Sequence, residues 1–362
     1  MNTLYLSSQN LTHNYNVLRS KIGDKTKFIA VVKANAYGSA LAPFAQHLVN
    51  LGVDALAVAY TEEGVQLRAL GIQIPILVFY PQIPTLHVLV SNSLQPCLYN
   101  PTLFLELKKI VLQERHSNYP VHIKYNTGLN RVGFLPNEVN WVLNQIRTAP
   151  FAIQSVYSHL AASEEKRPSS LCDKQIKYFQ KIKTNHLELE TSQPYFHLLN
   201  SSGVFNYPEY QFDAVRCGIA LHGFANNDKW DNELQPVATL KSSISQIISV
   251  KKGASVGYDH GWVAPKDSSI ATLPIGHADG IGRHFGSVKT PVYLHNKPVS
   301  IVGNVCMDML MIDITGVACE LGDEVEIFGL QHPASEFALH GKTISYEVLT
   351  QLGPRIERKW LS

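Results

Sequence analysis

No strong charge of either sign, no long apolar run and no orderly set of cysteines marks this chain. Each absence removes a class of function. Lysine and arginine number 31 against 29 aspartates and glutamates, a net charge of +2, so electrostatics gives no reason to expect a nucleic acid or an anionic membrane as partner. No apolar stretch approaches the length of a membrane span. The first residues, MNTLYLSSQNLTHNYNVL, lack a basic segment followed by an apolar one, which argues against a signal peptide. The cysteines (Cys97, Cys172, Cys217, Cys306, Cys319) are odd in number and scattered. They point to free thiols in a reducing compartment, with the cytoplasm as the expected address, and show no metal-ligand spacing.

What is present suits a soluble globular protein: 45% hydrophobic and 17% charged residues in a chain of 362, long enough for two domains. Through the first two-thirds, short apolar runs alternate with amphipathic ones. Strands are expected at 28–32, 55–59, 74–79, 94–98, 121–124, 153–158, 195–199 and 214–216. Between several of them, 61–71, 101–114 and 173–182 carry helical periodicity, the first with Thr61 as its expected cap and the second opening on a proline. Eight strands separated by helices specify an α/β fold, a closed (β/α)8 TIM-type barrel, over 11–225. After Gly223 the pattern becomes mainly β, with strand-like runs at 240–250, 270–275, 292–295, 299–302, 309–314 and 325–328 and one helix near 345–351. A C-terminal β domain is therefore expected over 226–362, reached through a linker at 226–233. Residues 1–10 are expected to pack with that domain.

The stretch KFIAVVKANAYGSA, residues 27–40, ends a buried-looking strand on Lys33. Either the lysine stem snorkels to water or its amine does chemistry. Lys33, Lys124, His159, Asn200, Ser201 and Arg216 all fall at C-terminal ends of expected strands, where barrels build their sites. An amine poised to form a Schiff base must spend time neutral, which partial burial favours. If the cofactor is pyridoxal phosphate, the site also needs phosphate donors and a partner for the pyridine nitrogen. Tyr37 offers a hydroxyl. Asn200-Ser201-Ser202-Gly203 and Arg216-Cys217-Gly218-Ile219 offer hydroxyls and backbone N–H groups. Arg216 could equally bind the phosphate itself. Singly, His159 reads as a core histidine, Lys124 as an ion-pair partner and Tyr258 as a half-buried aromatic.

Taken in order, Val31-Val-Lys-Ala-Asn-Ala-Tyr-Gly38, His122-Ile-Lys, Thr127-Gly with Arg131-Val-Gly133, Ser158-His159, Asn200-Ser201 and Val215-Arg-Cys-Gly-Ile-Ala220 resemble the alanine racemase family. So do Val256-Gly-Tyr258, Leu273-Pro-Ile-Gly276, Ala278-Asp-Gly280, Val305-Cys-Met-Asp308, Gly322-Asp-Glu-Val325 and Tyr346-Glu347. The resemblance implies a pyridoxal 5'-phosphate enzyme that interconverts L- and D-alanine and so supplies D-alanine for bacterial peptidoglycan. It implies a homodimer sharing its sites, with Lys33 as Schiff-base lysine and base on one face of the substrate. Tyr258 of the other subunit would be the base on the opposite face. Tyr37, Ser201, Tyr346 and the backbone of Gly218 and Ile219 would hold phosphate, with Asn200 beside them. Arg216 would face the pyridine nitrogen with His159 behind it. Arg131 would touch the cofactor's phenolic oxygen and the substrate, and Met307 would offer its N–H to the substrate carboxylate.

One departure from the family pattern, Asn126 for aspartate, follows Lys124, and others gather at the expected entrance: Ser39-Ala40 for His-Gly, His222 and His277 for tyrosines, and Asn304 for arginine. They leave a broader or different amino acid range, serine for example, as an alternative. A decarboxylase of the same architecture is expected to place an acid, not Arg216, opposite the pyridine nitrogen. A non-catalytic cofactor carrier would give the second domain and Tyr258 no purpose.

Overall fold

In the computed structural model, which describes residues 2–165, 167–188 and 193–361, eight parallel strands close into a barrel. They are β2 (Lys27–Val31), β3 (Ala55–Val58), β4 (Ile76–Val78), β5 (Gln95–Leu98), β6 (Tyr119–Lys124), β7 (Phe151–Tyr157), β8 (Tyr195–His197) and β9 (Ala214–Cys217), following the strand β1 (Thr3–Ser7). Closure comes from β2 pairing with β9, Ile29 opposite Arg216 and Ala30 opposite Cys217. Helices cross between the strands and bury an apolar stripe against them. Pro101–Gln113 starts on the Asn100 side chain, which accepts from the Leu103 amide, and buries Leu103, Phe104, Leu107, Ile110 and Val111. The helix expected at 173–182 is longer, Ser170–Leu187.

The second half is a nine-stranded sheet made of β1 with β10 (Ala238–Ser243), β11 (Gln246–Val250), β14 (Ser268–Leu273), β15 (Pro291–Leu294), β16 (Lys297–Val302), β17 (Leu310–Asp313), β18 (Glu324–Phe328) and β19 (Glu357–Leu361). A two-stranded ribbon, β12 (Ser255–Val256) and β13 (Trp262–Val263), stands beside it. The run 240–250 is not one strand. Its first part pairs with β1 and β18, while its second part pairs with β14. The chain turns at Ile244 and Ser245, whose amides bond Asp323 and Thr272 carbonyls. β1 lies antiparallel to β10 and parallel to β19, so both ends of the described chain enter this sheet. Within 226–233 a short helix, Asp228–Asp231, sets Trp230 on the barrel: its ring stacks on Phe205 at 5.5 Å and its Nε1 donates to Asn206 Oδ1 at 3.0 Å. Among the described residues no helix is long and apolar enough to cross a membrane.

Candidate active site

At the C-terminal end of the barrel strands, roofed by the second half, lies a cavity of about 580 Å³, a size suited to a small cofactor. Lys33, Tyr37, Arg131, His159 and Asn200 line it, as do Ser201, Arg216, Gly218, Ile219 and Tyr346. Lys124, Tyr80 and Tyr157 line it as well.

Lys33 follows β2 after a single residue, Val32, and begins an unusual turn. Ala34, Asn35, Ala36 and Tyr37 all have φ between 50° and 55°, and Gly38 has 81°. Burial, then the neighbouring Arg131 guanidinium, lowers the Lys33 amine from its ordinary range, while Glu63 opposes them. The turn carries Tyr37 inward to face Tyr346, ring centres 6.0 Å apart. Burial keeps both phenols protonated, Tyr346 pushed up to about 12 and Tyr37 beyond it, so both are hydrogen-bond donors. Tyr346 sits on Ser345–Thr350, and Asn226 donates to its hydroxyl at 3.3 Å.

The opposite wall is built from the ends of β8 and β9. Asn200 Oδ1 caps the helix Ser201–Asn206 by accepting from Gly203 N at 3.0 Å. That places Ser201 Oγ to accept from the amides of Gly218 at 3.0 Å and Ala220 at 3.3 Å, leaving its proton to be donated elsewhere. At Gly218 an added Cβ would come within 2.2 Å of Tyr37 Oη. Only glycine lets strand end and phenol close on the same space.

Arg216 is buried beneath this wall. Its guanidinium donates to Ser158 O (2.7 Å), Leu198 O (3.0 Å), His159 Nδ1 (3.1 Å) and His197 Nδ1 (2.6 Å). Guanidinium only donates, so both of those Nδ1 atoms accept and His197 carries its proton on Nε2. His197 Nε2 then donates to Ser155 Oγ at 2.9 Å, Ser155 to His122 Nδ1 at 2.6 Å, and His122 Nε2 to Gln95 Oε1 at 3.0 Å. The chain of directed bonds crosses the barrel interior. It matches the neutrality that burial imposes on His122, held near 3, and on His197, held well below its usual value. Burial lowers Arg216 only to about 10, so it stays charged at neutral pH. Neither His197 nor Glu63, Tyr80 and Tyr157 stood out in the sequence, and His122 entered only within the His122-Ile-Lys motif. His197 and His122 alternate with apolar residues on short strands, a pattern shared by ordinary core histidines.

Lys124, at the end of β6, lies with its amine 5.6 Å from the Tyr80 ring centre and 5.8 Å from that of Tyr157. Asn126, after it, uses Oδ1 to accept from the amides of Gly128 (3.1 Å) and Asn130 (3.0 Å), so the neutral side chain still shapes the loop that leads to Arg131. Two departures expected at the entrance are not there. Ser39 and His222 are fully buried and meet each other, Ser39 Oγ 3.4 Å from His222 Nδ1. His222 stacks on Phe44 at 4.5 Å and stands 5.0 Å from the Tyr37 ring, so the pair backs the phenol from inside.

Tyr258 and Met307 do not line the cavity of their own chain. They are 65% and 60% exposed on the second half. Asn304 Nδ2 donates to the Tyr258 carbonyl at 2.9 Å, and the amides of His277 and Ala278 donate to the Cys306 and Met307 carbonyls at 3.0 Å. Buried Asp279 accepts from the Gly276 amide and pairs with Arg355, which also reaches Asp308 at 2.7 Å. These bonds tie together the loops that carry Tyr258 and Met307, whose own side chains stay exposed.

This geometry recurs in known proteins. Residues 6–226 match the alanine racemase N-terminal domain family and residues 237–360 the alanine racemase C-terminal domain family. Alanine racemase of Thermodesulfovibrio yellowstonii is 34% identical over 364 residues, covering 98% of this chain and 96% of the relative. That of Legionella pneumophila is 35% identical over 367 residues, covering 98% of both chains. The crystal structure of alanine racemase from a D-cycloserine-producing Streptomyces lavendulae superposes with a TM-score of 0.94 at 26% identity, covering 100% of this chain and 97% of that one. A Bartonella henselae alanine racemase with covalently bound pyridoxal phosphate superposes at 0.90 with 27% identity, covering 99% of each chain. Ordered motifs, barrel, sheet and full-length relatives all agree: the chain belongs to the alanine racemase family.

Proposed function

We propose that this chain binds pyridoxal 5'-phosphate through Lys33 and racemises alanine, using Lys33 on one face of the substrate and Tyr258 of a second copy on the other. The observation that carries the reading is the meeting of a half-buried amine, three hydroxyl donors and a buried guanidinium around one cavity. Its described lining has four basic side chains, Lys33, Lys124, Arg131 and Arg216, against one acid, Glu164. Such a lining suits a ligand bearing a phosphate and a carboxylate.

The residues fit the cofactor. Tyr37, Tyr346 and Ser201 would donate to phosphate beside the backbone of Gly218 and Ile219, with Asn200 fixing Ser201 through its cap. Bound, the cofactor supplies an aldehyde that captures an amino group and a conjugated ring that delocalises the charge left when the α-proton departs. The lowered Lys33 amine spends time neutral and can take or return that proton on its own face. Inversion then needs a second proton donor opposite. Tyr258 is the exposed candidate, brought by a partner copy together with the Met307 N–H for the substrate carboxylate. Arg216, held by four acceptors, keeps its protons, so it would offer a ring nitrogen a hydrogen bond without protonating it. His159 braces it. Arg131, next to Lys33, would reach the cofactor's phenolic oxygen and the substrate.

The test is to incubate cofactor-loaded protein with L-alanine, L-serine and L-lysine separately in deuterated water, following α-hydrogen exchange and enantiomer formation. Exchange with D-alanine as the leading product supports the reading. Binding of cofactor without exchange would replace it with a carrier, and preference for serine with an altered range.

A further inference from the structure

The turn after Lys33 places four consecutive non-glycine residues in the left-handed region, where L-residues other than asparagine and aspartate are disfavoured by roughly 1–2 kcal/mol. Its internal bonds are few. Ala36 N reaches Val32 O at 2.9 Å, Gly38 N reaches Ala34 O at 2.8 Å, and Asn35 Oδ1 accepts from Leu41 N at 2.8 Å. Ser39 N also reaches Ala36 O at 3.0 Å and Arg358 Nε donates to Gly38 O at 3.2 Å, and a further tie comes from another part of the barrel. Glu63, in the first turn of the helix Thr61–Ala69, accepts from the Ala34 amide with Oε1 at 2.5 Å. With Oε2 it accepts from the amides of Ala59 at 2.7 Å and Tyr60 at 3.1 Å. A carboxylate in the first helical turn ordinarily serves its own helix. Here one oxygen does that and the other leaves the helix for the residue beside Lys33.

We propose that Glu63 is a positioning residue, whose carboxylate rivets the left-handed turn to the end of β3 and so fixes where the Lys33 amine and the Tyr37 phenol point. The idea rests on the racemase reading for its consequence in turnover, but not for its structural content. Loss of the bond leaves the Ala34 amide without its acceptor and frees the disfavoured turn to relax, moving both groups that hang from it. Glu63 also opposes the burial and the Arg131 charge that lower the Lys33 amine, so its removal acts on that amine in the same direction as they do.

Three variants of the full chain test this: Glu63→Gln, Ala34→Gly and the double variant. Hydrogen exchange at the Ala34 amide is measured with and without pyridoxal phosphate, along with cofactor affinity, melting temperature, kcat and KM. Glutamine cannot accept from both sets of amides, so Glu63→Gln is expected to speed Ala34 exchange about tenfold and lower kcat about a hundredfold with KM nearly unchanged. Glycine adopts the turn without the left-handed penalty, so Ala34→Gly should restore much of the kcat lost in the double variant. Unaltered Ala34 exchange in Glu63→Gln would overturn the proposal. So would a loss of kcat that tracks melting temperature and cofactor affinity and that glycine does not repair. If the wild-type chain does not racemise alanine, the failure belongs to the functional reading, and the exchange and cofactor-affinity measurements still decide the role of Glu63.

Discussion

An amine in water keeps its proton to about pH 10.4. Lys124, packed against two tyrosine rings, is brought down to about 7, first by burial and then by the charges of Arg131 and Arg216. Both effects disfavour the charged form, so the sign is not in doubt: as pH rises through about 7 the amine becomes neutral and nucleophilic. Labelling of Lys124 by an amine-selective reagent on the cofactor-free chain, read by peptide mass, should rise through that point. Labelling that climbs only towards about pH 10, the ordinary lysine value, would contradict the environment described. Arg216 shows the same physics with another outcome. Guanidinium starts so high that burial leaves it charged, and its four acceptors satisfy it without a carboxylate.

Between strand ends and the loops they support, fit is steric as much as chemical. Gly218 follows β9 so close to Tyr37 that no side chain can be added without moving the phenol. Gly218→Ala is expected to leave the barrel folded, since the Gly218 backbone is not in the left-handed region. It should weaken pyridoxal phosphate binding by roughly tenfold to a hundredfold, the worth of one hydrogen bond to a charged group. A titration showing unchanged affinity would mean that Tyr37 does not hold the phosphate end. Much of this scale was legible in advance. Lys33 announced itself by ending an apolar strand, and Arg216 with Gly218 by following another. The pairing of Ser39 with His222 was not, because each reads as an isolated departure until the fold sets them 3.4 Å apart. Nor was the left-handed turn: Asn35 tolerates that conformation but Ala34 and Ala36 favour others, and the Glu63 carboxylate that ties the Ala34 amide lies 29 residues further on. The run 240–250 misled because its turn, at Ile244 and Ser245, contains neither glycine nor proline.

At the level of the whole molecule, the barrel expected from eight apolar runs is the barrel found. The sheet was harder to read, because β1 and β19 are short, lie at opposite ends of the described chain and pair with each other. Tyr258 and Met307, singled out by resemblance, stand exposed on the second half while the amine they would complement lies within the first. On the proposed reading, a second copy would bring the two parts together. The measurement that tests this most directly mixes two inactive variants, Lys33→Ala and Tyr258→Phe, under conditions that let subunits exchange, and follows alanine racemisation. In a shared-site dimer each mixed pair contains one intact site, so activity should return to about one quarter of the wild-type value at equal amounts. Full activity in Tyr258→Phe alone, or no recovery on mixing of subunits shown to have exchanged, would contradict the account.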